Sequence, residues 1–396
     1  MKLLFVLNIG FDKGGPSVHL LKSVLDKALC RGHHCHVILK KTTNSNDIGL
    51  EDLIAKYTAL SVSIIRKISV KRGFVKRYID DCKYALKCKK YYKNQQYDAV
   101  FLQSCNVAWV HMAGFKRLKC PVVFNVQDIF PQNLMFSGQL PISKITYPLF
   151  SYLQRIAYRK ATCLITISED MKQTLVECGI APNKIEVIYN WSYSDDPIRL
   201  ENIPAEHIFD LKTDPQKINV VYAGNIGKMQ NVELIARTAV LSHEDDRIHY
   251  YIIGDGVYKQ KVEDIVKGLN NVTILPMQPA IFAESIYAQA DINLIPLAKG
   301  GIKTALPSKT ATILRTDRYA IFCIDADSKF EETVRELKRV HVTNNFDPSS
   351  LYRMICELKE NNSLSNKVEE SSYSQFSVKN AVRYVEIIES SVEQKK

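Results

Sequence analysis

Three glycine-bearing turns, each placed after a short apolar run, could bind an anion. The first is Gly14-Gly15, which follows the run that ends at Asn8-Ile9-Gly10. The other two lie in VVYAGNIGK (220–228) and IIGDG (252–256). Glycines between a strand and a helix N-terminus let backbone N–H groups approach an anion, and the helix dipole adds to the attraction. Each turn alone fits an ordinary tight turn equally well, but three together favour a ligand site.

The middle turn also carries a cation, Lys228, shortly before a helix predicted from about Asn231. A lysine at that place suits a diphosphate, although a plain surface lysine would have the same sequence. The chain contains neither G-x-G-x-x-G nor G-x-x-x-x-G-K-[ST]. Dinucleotide-binding and P-loop motifs are therefore excluded.

The elements around these turns alternate between strand and helix. Runs rich in Val, Ile, Leu, Phe and Tyr alternate with helical patterns such as Ser17–Arg31 and Glu169–Cys178. The runs occupy 2–8, 34–40, 97–102, 121–127, 162–168, 185–190, and then 218–223, 249–254, 272–275, 291–296 and 319–325. Strands that are apolar on both faces predict parallel sheets covered by helices. The predicted fold class is α/β with two Rossmann-like domains.

The predicted domains follow from a polar, proline-bearing stretch in the middle of the chain. We expect an N-terminal domain over 1–195, a linker over 196–216 and a C-terminal domain over 217–373. The stretch 374–396 predicts a final amphipathic helix that docks back on the first domain.

Composition restricts the class of protein. The chain has 396 residues, 46% of them hydrophobic and 24% charged, which suits two domains. Its net charge of +11 favours anionic partners. Its ten cysteines form no C-x-x-C pair, which excludes a disulfide scaffold and indicates a reducing, cytosolic compartment. We expect no metal, since the histidines at 33, 34 and 36 flank a strand start, where adjacent side chains point to opposite faces and are poorly placed to ligate one ion together. We also expect no membrane-spanning segment.

Eight motifs, in this order, resemble nucleotide-sugar-dependent glycosyltransferases of family 4. They are G-G-P…H, V-Q-D-I-F-P (126–131), I-S-E (167–169), V-I-Y-N (187–190), Y-A-G-N-I-G-K (222–228), I-I-G-D-G (252–256), A-D-I-N-L-I-P-L (290–297) and L-P-S-K-T (306–310). The resemblance covers nearly the whole chain and is strongest to bacterial transferases that build O-antigen and capsular polysaccharides. It implies the GT-B fold, in which two Rossmann-like domains face each other across a cleft.

The resemblance implies roles for the first two turns. Gly14 and Gly15 would face the donor across the cleft, and Lys228 matches a basic residue that contacts the donor phosphate. Asn225 and Gly227 would shape the turn that carries Lys228. We therefore take Lys228 as a catalytic candidate that stabilises the departing diphosphate.

The same resemblance places further donor-binding residues. Gly254, Gly256 and Gln278 would border the nucleobase. Ser308 and Lys309, at a predicted helix start, would meet the diphosphate or the ribose.

Asp128 is the acceptor-side catalytic candidate, and its alternative role is to cap a loop. Gln127 stands where many relatives have histidine, so a histidine-based role does not transfer. Many relatives also carry two glutamates where this chain has Thr304 and Thr312. Carboxylates are strong hydrogen-bond acceptors for sugar hydroxyls, and the threonines lack them. Nucleotide binding and full catalytic competence are therefore two separate predictions for this chain.

A basic segment, Arg72–Lys93, predicts an amphipathic helix. On a helical wheel Val75, Tyr78, Ile79, Cys82, Ala85 and Leu86 form an apolar stripe, with Arg72, Lys76, Lys83, Lys87 and Lys90 alongside it. One interpretation is a core-packed helix with a solvated basic edge. The other is a surface that contacts anionic lipid, and the charge is not accompanied by any nucleic-acid motif.

The resemblance to family 4 implies a retaining glycosyltransferase that moves a sugar from a UDP-sugar to a lipid-diphosphate-linked saccharide, and we expect it to need neither a cofactor nor a metal. It would work in the cytoplasm, peripheral on the inner face of the plasma membrane, in capsule or O-antigen synthesis. Two alternatives stay open: a GT-B UDP-sugar 2-epimerase, and a catalytically weak GT-B subunit that binds a partner transferase.

Overall fold

The computed structural model describes residues 1–11, 16–41, 48–66, 74–103, 106–136, 146–344, 346–360 and 370–395. The chain divides into two compact units. Unit 1 comprises Met1–Asn190 with Val378–Lys396, and unit 2 comprises Trp191–Ser377. Each unit is built on one parallel sheet with helices, so the predicted α/β class is confirmed.

Unit 1 has a seven-stranded parallel sheet in the order β3-β2-β1-β4-β5-β6-β7. Its strands are β1 (Lys2–Leu7), β2 (His34–Lys41), β3 (Leu60–Arg66), β4 (Ala99–Gln103), β5 (Val122–Val126), β6 (Cys163–Thr166) and β7 (Ile185–Val187). Its helices up to this point are α1 (Pro16–Cys30), α2 (Glu51–Lys56), α3 (Phe74–Tyr92), α4 (Ala108–Phe115), α5 (Thr146–Lys160) and α6 (Glu169–Glu177). The central strands β1, β4 and β5 are buried almost throughout, because helices cover both faces of the sheet.

Unit 2 has a six-stranded parallel sheet in the order β10-β9-β8-β11-β12-β13. Its strands are β8 (Ile218–Asn225), β9 (Ile248–Asp255), β10 (Val272–Leu275), β11 (Ile292–Pro296), β12 (Tyr319–Ile324) and β13 (Val340–Asn344). Its helices are α7 (Val232–Leu241), α8 (Lys259–Ile265), α9 (Ala283–Gln289), α10 (Thr310–Leu314), α11 (Lys329–Val334) and α12 (Pro348–Glu360). In both units β1 and β8 lie near the middle of the sheet, where the strand order reverses direction. Such switch points are where open α/β sheets bind ligands.

The last helix, α13 (Asn380–Glu393), is part of unit 1 although it follows unit 2 in the chain. It packs on α1, β4 and β5 with a face that includes Tyr384 and Ile388. Glu389 on the same helix binds the guanidinium of Arg31 at 2.7 Å and the His33 ring at 2.8 Å. The end of the chain therefore completes the unit that the beginning of the chain starts.

Residues 196–216, the predicted linker, belong to unit 2 in the structure. The Ile198 N–H donates to the Arg315 carbonyl at 2.7 Å, and Arg199 pairs with Asp317 at 2.8 Å. Just before them, Asp195 accepts from the Arg315 guanidinium at 2.7 Å. These bonds tie the polar stretch to the end of α10.

The predicted apolar stripe of α3 is only half correct, since Ala85 is buried and Tyr78 and Cys82 pack against it, but the other three residues face outward. Val75, Ile79 and Leu86 are 59%, 47% and 63% exposed. The buried face of the helix instead includes Asp81 and Tyr84. The helix turns this way because these polar groups find partners inside.

Two contacts explain how the polar groups of α3 are accommodated. The Asp81 carboxylate accepts from Lys40 Nζ at 3.0 Å, and the Tyr84 hydroxyl donates to the Leu7 carbonyl at 2.7 Å. A buried polar group that is hydrogen-bonded avoids most of the cost of leaving water. Consequently three apolar side chains and Lys76, Lys83, Lys87 and Lys90 share an exposed face; we call these seven residues the α3 surface.

Among the described residues, no helix combines the length and the apolar character needed to cross a bilayer. Their nine cysteines are all free thiols. Burial raises the pKa of Cys35 and of Cys88 to about 12, so these two thiols are unreactive. The described part of the chain also holds no group of three His, Cys, Asp or Glu residues that could ligate a metal ion.

Candidate functional site

Two glycines face each other at the carboxyl ends of β8 and β9. The strands pair in parallel with Gly224 opposite Gly254. A Cβ on Gly254 would lie 1.9 Å from the Gly224 carbonyl oxygen, so only glycine fits there. Gly256 has φ +156°, and a Cβ on it would lie 2.4 Å from the Ile226 carbonyl oxygen. This edge is therefore a backbone surface that a ligand can approach closely.

The turn after β8 presents Lys228 to solvent. Asn225 Nδ2 donates to Gln230 Oε1 at 2.8 Å across the turn. A Cβ on Gly227 would lie 2.6 Å from Asn225 Nδ2, so glycine leaves room for this bond. Asn231, in the left-handed region with φ 45°, then starts the ten-residue helix α7. Asn225 and Gly227 thus fix the turn that holds Lys228 beside a helix N-terminus.

Lys309 reaches the end of the same strand from the turn before α10. Its Nζ donates to the Ala223 carbonyl at 3.1 Å and lies 3.7 Å from the centre of the Tyr222 ring. A Cβ on Gly224 would lie 3.5 Å from this Nζ. Burial lowers the pKa of Lys309 to about 7. A nearby anion would favour the charged form of this amine, so its protonation can respond to a ligand.

Gln278 and Ser308 lie on other loops of unit 2. Gln278 Nε2, after β10, donates to the Pro276 carbonyl of its own loop at 2.9 Å. Ser308 is exposed in the turn just before Lys309. The structure thus groups Asn225, Gly227, Lys228, Gly254, Gly256 and Lys309 around the ends of β8 and β9.

The two threonines in place of the relatives' glutamates are placed differently from each other. Thr304 is buried and its hydroxyl donates to the Gly301 carbonyl at 3.1 Å. Thr312 is half-buried on α10. The Thr304 side chain therefore stabilises the turn that begins at Gly301.

In unit 1, Asp128 follows β5 and is half-buried. Burial raises the pKa of its carboxyl to about 6. A carboxyl whose pKa lies near the working pH suits proton transfer. Gly14 and Gly15, the other candidates in this unit, lie outside the described residues.

Sequence reasoning missed an amide network beside Asp128. Asn125 Nδ2 donates to Gln103 Oε1 at 2.5 Å, and Gln127 Nε2 donates to Asn125 Oδ1 at 3.1 Å. Asn190 Nδ2 donates to Gln127 Oε1 at 2.9 Å, and the Tyr384 hydroxyl donates to Asn125 Oδ1 at 3.2 Å. Both ends of the Gln127 amide are therefore occupied, which fixes the chain next to Asp128. The sequence signal that could have indicated this network is the single amide residue in each of two apolar runs, Gln103 in AVFLQ and Asn125 in VVFNV.

Residues 16–191 match the model of Glycosyltransferase Family 4, which confirms the predicted family resemblance over this stretch. The chain is 27% identical over 245 residues to the probable glycosyltransferase WbjE of Pseudomonas aeruginosa, covering 60% of each chain. It is 24% identical over 178 residues to an uncharacterized 41.2 kDa protein in the cps region of Klebsiella pneumoniae. That match covers 43% of this chain and 47% of the Klebsiella protein. The chain thus spans about half the length of the curated relatives it matches.

Among solved structures, HepE of Anabaena in complex with UDP is similar to nearly the whole chain. The TM-score is 0.71 at 14% sequence identity, over 98% of this chain and 100% of HepE. At this identity the likeness establishes the fold, and the predicted GT-B class is confirmed.

Proposed function

We propose that this chain is a retaining glycosyltransferase that moves a sugar from a UDP-sugar to a lipid-diphosphate-linked saccharide in bacterial capsule or O-antigen synthesis. The observation that carries the proposal is the glycine-bounded edge of β8 and β9 with Lys228 and Lys309 beside it. The family 4 match of residues 16–191 supports the reaction class. The cps region of the Klebsiella relative supports the polysaccharide context.

The donor diphosphate would bind at this edge of unit 2. Backbone N–H groups before α7 and the two lysine side chains would stabilise the negative charge that develops as the nucleoside diphosphate departs. HepE, which shares the fold, was crystallised with UDP and also with UDP-glucose, and this supports a uridine nucleotide. The transfer needs neither a metal nor a cofactor if these groups carry that charge.

On the acceptor side we assign Asp128 as the group that receives a proton from the attacking hydroxyl. Its pKa of about 6 leaves the carboxylate mostly ionised at neutral pH and still basic enough to accept a proton. The amide network through Gln127 would hold the neighbouring backbone during this step.

Nucleotide binding is the first test of the proposed function. We expect UDP to raise the melting temperature by several degrees, because a ligand at ~100 times its dissociation constant adds about 2.7 kcal/mol. GDP and ADP should raise it less. Lys228→Ala should weaken UDP binding at least about tenfold, since a hydrogen bond to a charged group contributes about 1.5–3 kcal/mol.

Lys267→Ala is the matched control for Lys228→Ala. Lys267 is an exposed lysine of the same unit, in the turn between α8 and β10 at the amino edge of the sheet. Its loss removes the same charge and should leave UDP binding unchanged. Equal UDP affinity in wild type and Lys228→Ala would refute the phosphate assignment. A melting temperature that none of the nucleotides changes would favour the weak subunit that binds a partner transferase.

We further propose that the α3 surface rests on the anionic inner face of the plasma membrane. Exposed apolar side chains next to lysines are typical of helices that lie in a lipid interface. On the neighbouring α5, Leu149 and Tyr152 are also exposed, and ring contacts such as Tyr78–Phe150 at 5.1 Å join the two helices. A cavity of about 390 Å³ beside α3 is lined by three basic residues, Arg66, Lys87 and Lys90. A lipid-linked acceptor would be delivered at such a surface.

Charge reversal tests the membrane proposal. The triple variant Lys76→Glu, Lys83→Glu, Lys87→Glu should lose most binding to phosphatidylglycerol vesicles, since each cation near an anionic surface contributes about 1 kcal/mol. Cosedimentation measures the bound fraction. The control reverses Lys217, Lys267 and Lys338 in unit 2 and has the same net charge, so it should bind nearly as wild type does. Equal binding by the two triple variants would show that net charge, and not the α3 surface, drives association.

A further inference from the structure

Unit 1 contains a pocket of about 360 Å³ whose lining includes neither Asp128 nor any donor-binding candidate. It lies between α5 and the loop that follows β5, and it is lined by residues such as Phe130, Gln132, Tyr147 and Gln154. The volume is within the range of small-molecule sites, ~300–1,000 Å³. The pocket begins shortly after Asp128 in the chain.

Several polar atoms that line this pocket are buried and have no hydrogen-bond partner among the described residues. Gln154 on α5 is 1% exposed, and within the described part of the chain neither its Nε2 nor its Oε1 has a hydrogen-bond partner. The Ser151 hydroxyl, one turn earlier, and Gln132 Oε1 are also buried, and neither has a hydrogen-bond partner among the described residues. Buried polar groups are normally hydrogen-bonded, and leaving them unsatisfied is unfavourable. A ligand with both hydrogen-bond donors and acceptors would satisfy these groups.

Gln127 shows that the lack of hydrogen bonds at Gln154 is not a general property of glutamines in this unit. Gln127, in the same unit, uses both ends of its amide in hydrogen bonds to Asn125 and Asn190. The fold therefore can satisfy the amide of a half-buried glutamine internally. At Gln154 the amide lines an open pocket instead.

Charge and shape indicate the class of ligand. The pocket has one cation, Arg155, and one anion, Glu177, in its lining, so its formal charges cancel. Phe130 and Tyr147 add aromatic rings. A sugar ring offers hydroxyl groups around its edge and C–H groups on its faces, which match amides and aromatic rings respectively. A nucleotide, by contrast, would bring charge that this lining does not balance.

We infer that the pocket between α5 and the loop after β5 binds one neutral sugar residue through Gln154 and Ser151. This inference rests on the proposed function to the extent that a polysaccharide enzyme meets such sugars in its acceptor. The pocket would hold a sugar unit of the acceptor within unit 1.

The test is binding of the methyl glycosides of glucose, galactose and N-acetylglucosamine to the full chain. We expect saturation-transfer NMR to detect at least one of them at millimolar concentration. Gln154→Leu should weaken that binding at least about tenfold, because a site built on buried hydrogen-bonding groups discriminates strongly. The same variant should keep or raise the melting temperature, since an apolar side chain of similar size removes unsatisfied groups.

Ser151→Ala is the second pocket variant, and Gln260→Leu is the matched control. Gln260 is an exposed glutamine of unit 2, so its replacement should not change sugar binding. UDP binding is measured on every variant and should stay at the wild-type level, which separates this inference from the proposed function. The inference is overturned if none of the glycosides binds, if binding survives both pocket variants, or if uridine competes for the site.

Discussion

Gly254→Ala is expected to abolish UDP binding and to lower the stability of unit 2 by about 3 kcal/mol or more. The added Cβ would lie 1.9 Å from the Gly224 carbonyl oxygen and 3.2 Å from Ile226 Cγ1. Backbone atoms of a central strand pair cannot yield locally, so β8 and β9 must separate where the nucleotide would bind. Thermal unfolding and UDP titration measure the two effects, and a drop of roughly 6–12 °C is expected.

Gly268→Ala separates steric overlap from the ordinary cost of replacing a glycine. Gly268 has φ +84° and nothing within 4 Å of a Cβ placed on it. Its replacement should cost only about 1–2 kcal/mol of backbone strain. UDP affinity should be retained in this variant. If Gly254→Ala were as stable and bound UDP as well as Gly268→Ala, the close approach of β8 and β9 would have no functional meaning.

Lys309→Met should weaken UDP binding about 10- to 100-fold, and more at pH 6 than at pH 8. In the free protein the pKa of Lys309 is lowered to about 7, so at pH 8 the amine is roughly nine-tenths neutral. A bound diphosphate raises that pKa, because an anion favours the ammonium form. Binding at pH 8 must therefore take up a proton, whereas at pH 6 the amine is already charged and little uptake remains.

Calorimetry in buffers of different ionisation enthalpy measures this proton uptake. Wild type should take up close to one proton per UDP at pH 8, and Lys309→Met should take up nearly none. Lys267→Met, which removes an exposed lysine of the same unit, should behave as wild type does. UDP binding without proton uptake at pH 8 would place the diphosphate away from Lys309.

Most of the fold could be predicted from the sequence because the central strands are buried on both faces. Eleven apolar runs correspond to eleven strands, whereas β3 and β13 were missed. Both are edge strands, and in β3 only Ile65 is fully buried, so their sequences are not continuously apolar. Burial alone does not explain the two omissions, because the edge strand β10 was predicted although none of its residues is fully buried. The serines of β3 and the polar residues of β13 interrupt the apolar runs on which the prediction depends.

The candidate site could be predicted only in part, because some of its features depend on contacts between distant residues. The glycine turns and Lys228 were visible as local patterns. The low pKa of Lys309 depends on its burial against Tyr222, far away in the chain. The orientation of α3 depended in the same way on Lys40, whose side chain pairs with a buried aspartate.

The position of α13 has a consequence for synthesis on the ribosome. Unit 2 has all of its residues once Ser377 has been added, whereas unit 1 still lacks the helix that carries Tyr384 and Glu389. Until then the faces of α1, β4 and β5 that α13 covers stay open to solvent or to chaperones, and the amide network lacks its tyrosine. The domain whose translation begins first is thus the last to be completed, which reverses the usual order of domain-by-domain folding.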